Sequence, residues 1–294
     1  MANPNLIDLP WLTSEGAANA LLTCLQKALQ LPGDTILNAS DVKWISPFGT
    51  ILLADFSLKR IRAGHSVSIQ MPKHRETAEY IRTSGLLKLT ESSNLSNAVT
   101  PDTLELRLLK RMEGNVPQLV ADFVATQAIN VGEDERYLLR IWITELLTNA
   151  NDHANSESGF WICARYTPSR RDIRICVADA GIGIRTSLVK SGKYGHAMTD
   201  SQALEKALQE GVTSRPGHTG GLGLKQIVAY VKAHGGSLSM FSGKSRIKVR
   251  RKQKNAISAL PVDYLGTIVT AAFDPQTMAT LEVESGEESP FNFE

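Results

Sequence analysis

Apolar residues recur along this chain at two periods. A spacing of three to four predicts helices over Ala17 to Leu29, Phe48 to Arg62, Arg75 to Leu87, Val116 to Ala128 and Gly132 to about Ala154. The same spacing through Ile227, Val228, Val231 and Ala233 predicts one more, ending at Gly235-Gly236. Strict alternation predicts strands at Thr35 to Asn38, Val42 to Ile45, Ser66 to Gln70, Leu104 to Leu109, Phe160 to Tyr166 and Ile173 to Ala178. Short strands alternating with helices make the first hundred residues a small α/β domain. Glu91 to Pro101 is polar, rich in serine and asparagine and without periodicity, as a linker is. The predicted organisation is a domain over 1–97, a join at 98–103, a second domain over 104–275 and an acidic, disordered tail over 276–294.

Composition adds limits. The 294 residues suffice for two domains, and 42% apolar content can fill their cores. A net charge of +2 does not by itself argue for nucleic acid. Cys24, Cys163 and Cys176 are scattered, with no zinc or redox spacing, which fits a reducing compartment. The first residues lack a basic segment followed by an apolar one, and no run of eighteen apolar residues occurs. The expected location is cytoplasmic, without a membrane partner.

Three stretches carry candidate chemistry. Glu145, Asn149 and Asp152 lie four and three residues apart, so they share a face of the long helix. That polar stripe faces either solvent or a ligand. Asp179-Ala-Gly-Ile-Gly follows a predicted strand. Its acid can accept a ligand amine and Gly181 and Gly183 let backbone come close, although turns use the same residues. Gly217-His-Thr-Gly-Gly-Leu-Gly-Leu224 opens a helix, the arrangement of an anion site or of an ordinary loop-to-helix turn. Other nucleotide motifs fail. A dinucleotide fingerprint needs glycine where Thr186 stands, and a P-loop ending at Gly243-Lys244-Ser245 needs it where Leu238 stands. The alternating basic stretch Lys244 to Lys254 reads as a strand with one solvated basic face. No aromatic residue interleaves to stack bases, which argues against nucleic acid.

Taken together, Glu145-x-x-x-Asn149-x-x-x-His153, the Asp179 box, the Gly220-Gly-Leu-Gly223 box and a late Gly266-Thr267 strand resemble the GHKL ATPases. That superfamily holds histidine kinases, gyrase-type ATPases, Hsp90 and anti-sigma serine kinases. The resemblance covers about 104–274 and implies the Bergerat fold, a two-layer α/β sandwich. It implies ATP and Mg²⁺ as ligands. Asn149 would ligate Mg²⁺, and Glu145 would be the base or would orient the nucleophile. Asp179 would accept the adenine amine beside Gly181 and Gly183, with Thr267 beneath the ring. Gly220, Gly221, Leu222 and Gly223 would cradle phosphates. Asp152 and His153 match pocket-edge positions, although a helix-end histidine also suits the helix dipole. Arg185 to His218 would be a lid. Lys225 and Arg215 are phosphate contacts or solvated cations.

The stretches Asp41-Val-Lys-Trp-Ile-Ser-Pro-Phe-Gly49 and Gly64-His-Ser-Val-Ser-Ile, with Ile81-Arg-Thr-Ser-Gly-Leu86, resemble the STAS domain of anti-sigma-factor antagonists. Here Pro47 occupies the phosphoacceptor position, which implies that the phosphate switch is lost. Ser46 is a substitute acceptor or the cap of the next helix. The leading helix departs from that family, which opens with strands. No histidine lies between residues 75 and 152, so no phosphoacceptor helix precedes the second domain. The combined resemblance implies a bacterial signalling regulator of the anti-sigma serine/threonine kinase kind, with a regulatory protein partner of STAS or sigma-factor type. Homodimerisation stays open. So do a hydrolysing clamp and a nucleotide sensor without turnover.

Overall fold

The computed structural model describes residues 3–90, 100–128, 131–153, 159–209 and 223–278. The chain divides into two compact units, Met1–Leu108 with Trp161–Arg165, and Leu109–Phe160 with Tyr166–Glu294.

The first unit opens with β1 (Asn5–Asp8) and β2 (Leu12–Thr13), before α1 (Ala18–Leu29). It continues through β3 (Thr35–Asn38), β4 (Trp44–Ile45), α2 (Pro47–Arg62), β5 (Val67–Gln70), α3 (Arg75–Thr83), α4 (Leu87–Thr90) and β6 (Thr103–Leu109). Strands β1, β3 and β5 form a parallel sheet in the order β1-β3-β5, and β2 pairs with β4. The chain therefore does not lead with a helix, as the periodicity alone predicts. A four-residue strand beside Pro4 carries little pattern of its own, and β1 exists because β3 offers it an edge. Helix α2 is buried on nearly every side, as expected of a helix apolar around its circumference. Ser46 is fully buried, and its hydroxyl accepts the Gly49 N–H at the start of α2, with Pro47 in the first turn. The single helix expected from Arg75 to Leu87 breaks at Gly85, which adopts φ +82°.

The second unit holds α5 (Val116–Gln127), α6 (Glu133–His153), the two ends of β7 (Phe160–Thr167), whose middle Trp161–Arg165 belongs to the first unit, β8 (Asp172–Asp179), α7 (Gly183–Lys190), α8 (Asp200–Ala207), α9 (Gly223–Ala233), β9 (Ser237–Arg250) and β10 (Ala256–Phe273). In its larger sheet β8, β10 and β9 are neighbours in that order, and β10 runs antiparallel to both β8 and β9. Helices α7, α8 and α9 pack on β9, while α6 packs on α9 and β8. This is an α/β layering of sheet against helices, the fold class expected from the sequence.

The core that holds α6 in place is aromatic. Trp142, Tyr230 and Phe273 have ring centroids 5.7–6.0 Å apart. Beside them Glu135 Oε1 meets His234 Nε2 at 2.8 Å, joining the first turns of α6 to the end of α9. Burial alone would raise the Glu135 carboxyl, but the hydrogen bond and charge of His234, with the Tyr230 hydroxyl, hold it below its ordinary value. No described helix is long and apolar enough to cross a membrane.

Candidate functional site

Asp179 ends β8 with only 6% of its surface exposed. Its Oδ1 accepts the Gly181 N–H at 2.8 Å, so the loop after the strand folds back on the carboxylate. Burial pushes this carboxyl up to about 6, against the backbone N–H groups of Gly181 and Thr267, which pull it down. Thr267 stands opposite Asp179 in the β10–β8 register. The result is a buried acid with an uncomfortable charge, able to gain from a further donor.

Two glycines let the backbone come close there. A Cβ on Gly266 (φ +111°) would lie 2.1 Å from the Asp179 carbonyl oxygen, and one on Gly183 (φ +72°) would lie 2.9 Å from Ser242 Oγ. Ser242, on β9, is 3% exposed. Its hydroxyl donates to the Gly266 carbonyl at 2.8 Å and accepts the Ile184 N–H at 3.0 Å. Tyr264 adds a long hydrogen bond from its hydroxyl to the Asp179 carbonyl, at 3.4 Å. Neither residue stands out in the sequence, because nothing local distinguishes Ser242 from Ser239 or Ser245. Only the pairing of β9 with β10 places it at this corner.

Glu145 and Asn149 are half-buried on α6, one turn apart and thus about 6 Å along its axis. Asp152 is exposed, and its Oδ1 accepts from Asn151 Nδ2 at 2.7 Å. His153 is the last residue of α6. Gly220, Gly221 and Leu222, with Arg215 and the far half of the expected lid, lie outside the described residues. Gly223 begins α9, and Lys225 is exposed on it. The described half of the expected lid forms α7 and α8. Thr199 and Gln202 close a capping box at the start of α8, and Ser201 meets Ser245 of β9 at 2.6 Å.

Among the described residues no cluster of three or more His, Cys, Asp or Glu side chains is placed to hold a metal. A separate cleft of about 240 Å³ is lined by Gln118, Asp122, Glu133, Arg136, Tyr137 and Arg140. In it Arg136 meets Asp122 at 3.6 Å and Arg140 donates to Gln118 at 3.2 Å.

Residues 134–276 match the model of the histidine kinase-, DNA gyrase B- and HSP90-like ATPase family. These residues form a GHKL-type ATPase domain. The matched span begins in α6 and ends just beyond β10, so it includes Asp179, Ser242, Gly266 and Thr267. An ATPase domain of this type implies ATP binding. No curated protein matches the chain.

Proposed function

We propose that this chain is a cytoplasmic signalling regulator that binds ATP with Mg²⁺ through its ATPase domain and transfers the γ-phosphate to a serine or threonine of a partner protein. The observation that carries the nucleotide reading is the buried Asp179 carboxyl, opposite Thr267, with Gly266 packed against the Asp179 backbone carbonyl and Gly183 against Ser242 and Gly266. A carboxylate there accepts the adenine amine, and residues 181–183 pass beside the ring. Asn149 would hold the cation through its amide oxygen, and the cation would neutralise phosphate charge. Glu145, one turn earlier, accepts the proton of the attacking hydroxyl. The hydroxyl oxygen then bonds to the γ-phosphorus, the bond to the β–γ bridging oxygen breaks, and ADP leaves. Gly220, Gly221, Leu222 and Gly223 would supply N–H groups to the phosphates. The protein-kinase branch is supported by the absence of histidine between residues 75 and 152. It is also supported by the STAS-like motifs of the first unit, where Pro47 removes the acceptor hydroxyl and Ser46 is buried as a helix cap. In this reading the first unit is a docking element and not a phosphorylated substrate.

Incubation with γ-labelled ATP and Mg²⁺, alone and with STAS-type candidate partners, tests the reading. Label on a serine or threonine is the expected result. Free labelled phosphate without protein label would replace the kinase with a hydrolysing clamp. Nucleotide binding with neither product would leave a sensor.

A further inference from the structure

Beyond Ser242 the β9–β10 pair continues as an arm. From Lys244 to Val262 the chain holds Lys244, Arg246, Lys248, Arg250, Arg251, Lys252 and Lys254, and no acidic residue. The chain's net charge is only +2, so everything outside this arm is net acidic. Along β9 the alternation is physical as well as sequential. Ser245, Ile247 and Val249 are buried, whereas Lys244 and Arg250 are exposed and Arg246 and Lys248 half-buried. The four cations therefore form one row, spaced by about 6.8 Å. Opposite Arg246 and Lys248 on β10 stand Ser258 and Ala256, which carry no charge, and Arg246 Nε donates to Ser258 Oγ at 2.6 Å, so the exposed ends of the row, Lys244 and Arg250, are its most accessible cations. Strand β9 is also the terminal strand of its sheet.

We infer that this row is a docking surface for an extended acidic segment of a protein partner. An extended peptide with acids at every second position repeats its carboxylates at the same spacing of about 6.8 Å. A single row of cations on one strand matches one such chain. A nucleic-acid duplex presents two phosphate rows across a groove and would meet uncharged Ser258 and Ala256 on the second strand. Single-stranded nucleic acid would call for stacking rings, and no aromatic residue lies between Lys244 and Val262. An anionic lipid surface would call for an apolar anchor, and the same stretch holds none of the exposed large apolar side chains among the described residues. Cations on a terminal strand also discourage edge-to-edge pairing. The arm continues the strand pair that carries Ser242, Gly266 and Thr267, so a docked segment would lie along the same ribbon as the candidate nucleotide site.

This inference names the chemistry of the partner proposed above and does not depend on ATP. It is therefore tested without nucleotide, and ATP binding is measured separately. Fluorescence anisotropy of the full chain would use a labelled dodecapeptide of alternating Glu and Ser, with a block of Glu followed by a block of Ser as the control. The alternating peptide should bind more tightly, weaken with salt, and lose about tenfold in affinity in the Lys244→Glu/Arg250→Glu variant. The neutral Lys244→Gln/Arg250→Gln variant should show a smaller loss and serves if charge reversal unfolds the arm. Equal affinity for the two peptides would overturn the inference, as would unchanged binding in both variants. A DNA duplex or phosphatidylserine vesicles that bind this arm without being displaced by the peptide would overturn it as well.

Discussion

Ser242 Oγ lies 2.8 Å from the Gly266 carbonyl oxygen, although the two residues belong to different strands and are 24 positions apart. The same hydroxyl takes the Ile184 N–H from the start of α7. One buried side chain thus ties together three segments around Asp179. Ser242→Ala leaves a buried carbonyl and a part-buried N–H without this partner, a cost of about 1–3 kcal/mol. Urea unfolding should show that loss. Isothermal titration should show weaker ATP binding in the variant, because Gly183 and Gly266 are no longer held against the site.

Gly266→Ala should be harsher. The new methyl would sit 2.1 Å from the Asp179 carbonyl, at a φ of +111° that side chains avoid. Strain alone costs roughly 1–3 kcal/mol, and the clash forces β8 and β10 apart where Asp179 and Thr267 pair. The expected outcome is a lowered denaturation midpoint and loss of nucleotide binding. Retention of both would mean that the strands do not approach as described.

Asp179 makes stability depend on pH in a definite direction. Its folded carboxyl titrates at about 6 against an ordinary 3.8, so the folded state holds the proton more tightly than the unfolded one. Its stabilising effect is complete below the lower value and is lost as pH rises through the upper one. That amounts to up to roughly 3 kcal/mol. Unfolding of the unliganded wild type should therefore show a negative stability slope between about pH 4 and 6. Asp179→Asn should lack it. ATP affinity should move the other way, rising through about pH 6 as the carboxylate forms to accept the adenine amine.

The Glu135–His234 contact predicts a slope of opposite sign. The Glu135 carboxyl is held below its ordinary 4.5, so its contribution is present above that value and is lost as pH falls through the folded one. Glu135→Gln should lower stability near neutral pH and flatten the acid limb of the profile, read by circular dichroism. An acid limb identical to wild type would assign the acid sensitivity to other groups.

Asn149→Ala should abolish Mg²⁺-dependent nucleotide binding, while Glu145→Ala should leave binding intact and stop turnover. Titration with a fluorescent ATP analogue, with and without Mg²⁺, reads the first. Product assay under saturating ATP reads the second. Unchanged Mg²⁺ dependence in Asn149→Ala would sink the metal assignment, and unchanged turnover in Glu145→Ala would remove the base.

The local patterns determined much by themselves. Helix α2 needs only its own apolar positions and Ser46-Pro47 at its start, and the observed helix begins one residue before the predicted one. The strand ending in Asp179 and the helix carrying Glu145 and Asn149 are likewise written in their periodicity, because burial on one face imposes a period of two or of 3.6. The Asp179 box is legible because a turn of that shape needs glycine wherever it occurs. Strand β1 was not legible, since its hydrogen bonds come from β3, some thirty residues away. Nor was Ser242, whose partners Gly266 and Ile184 lie 24 and 58 positions distant. Side-chain spacing encodes which face of an element is buried. Which buried polar group meets which is decided by strand order and register, and these exist only once the sheet has assembled.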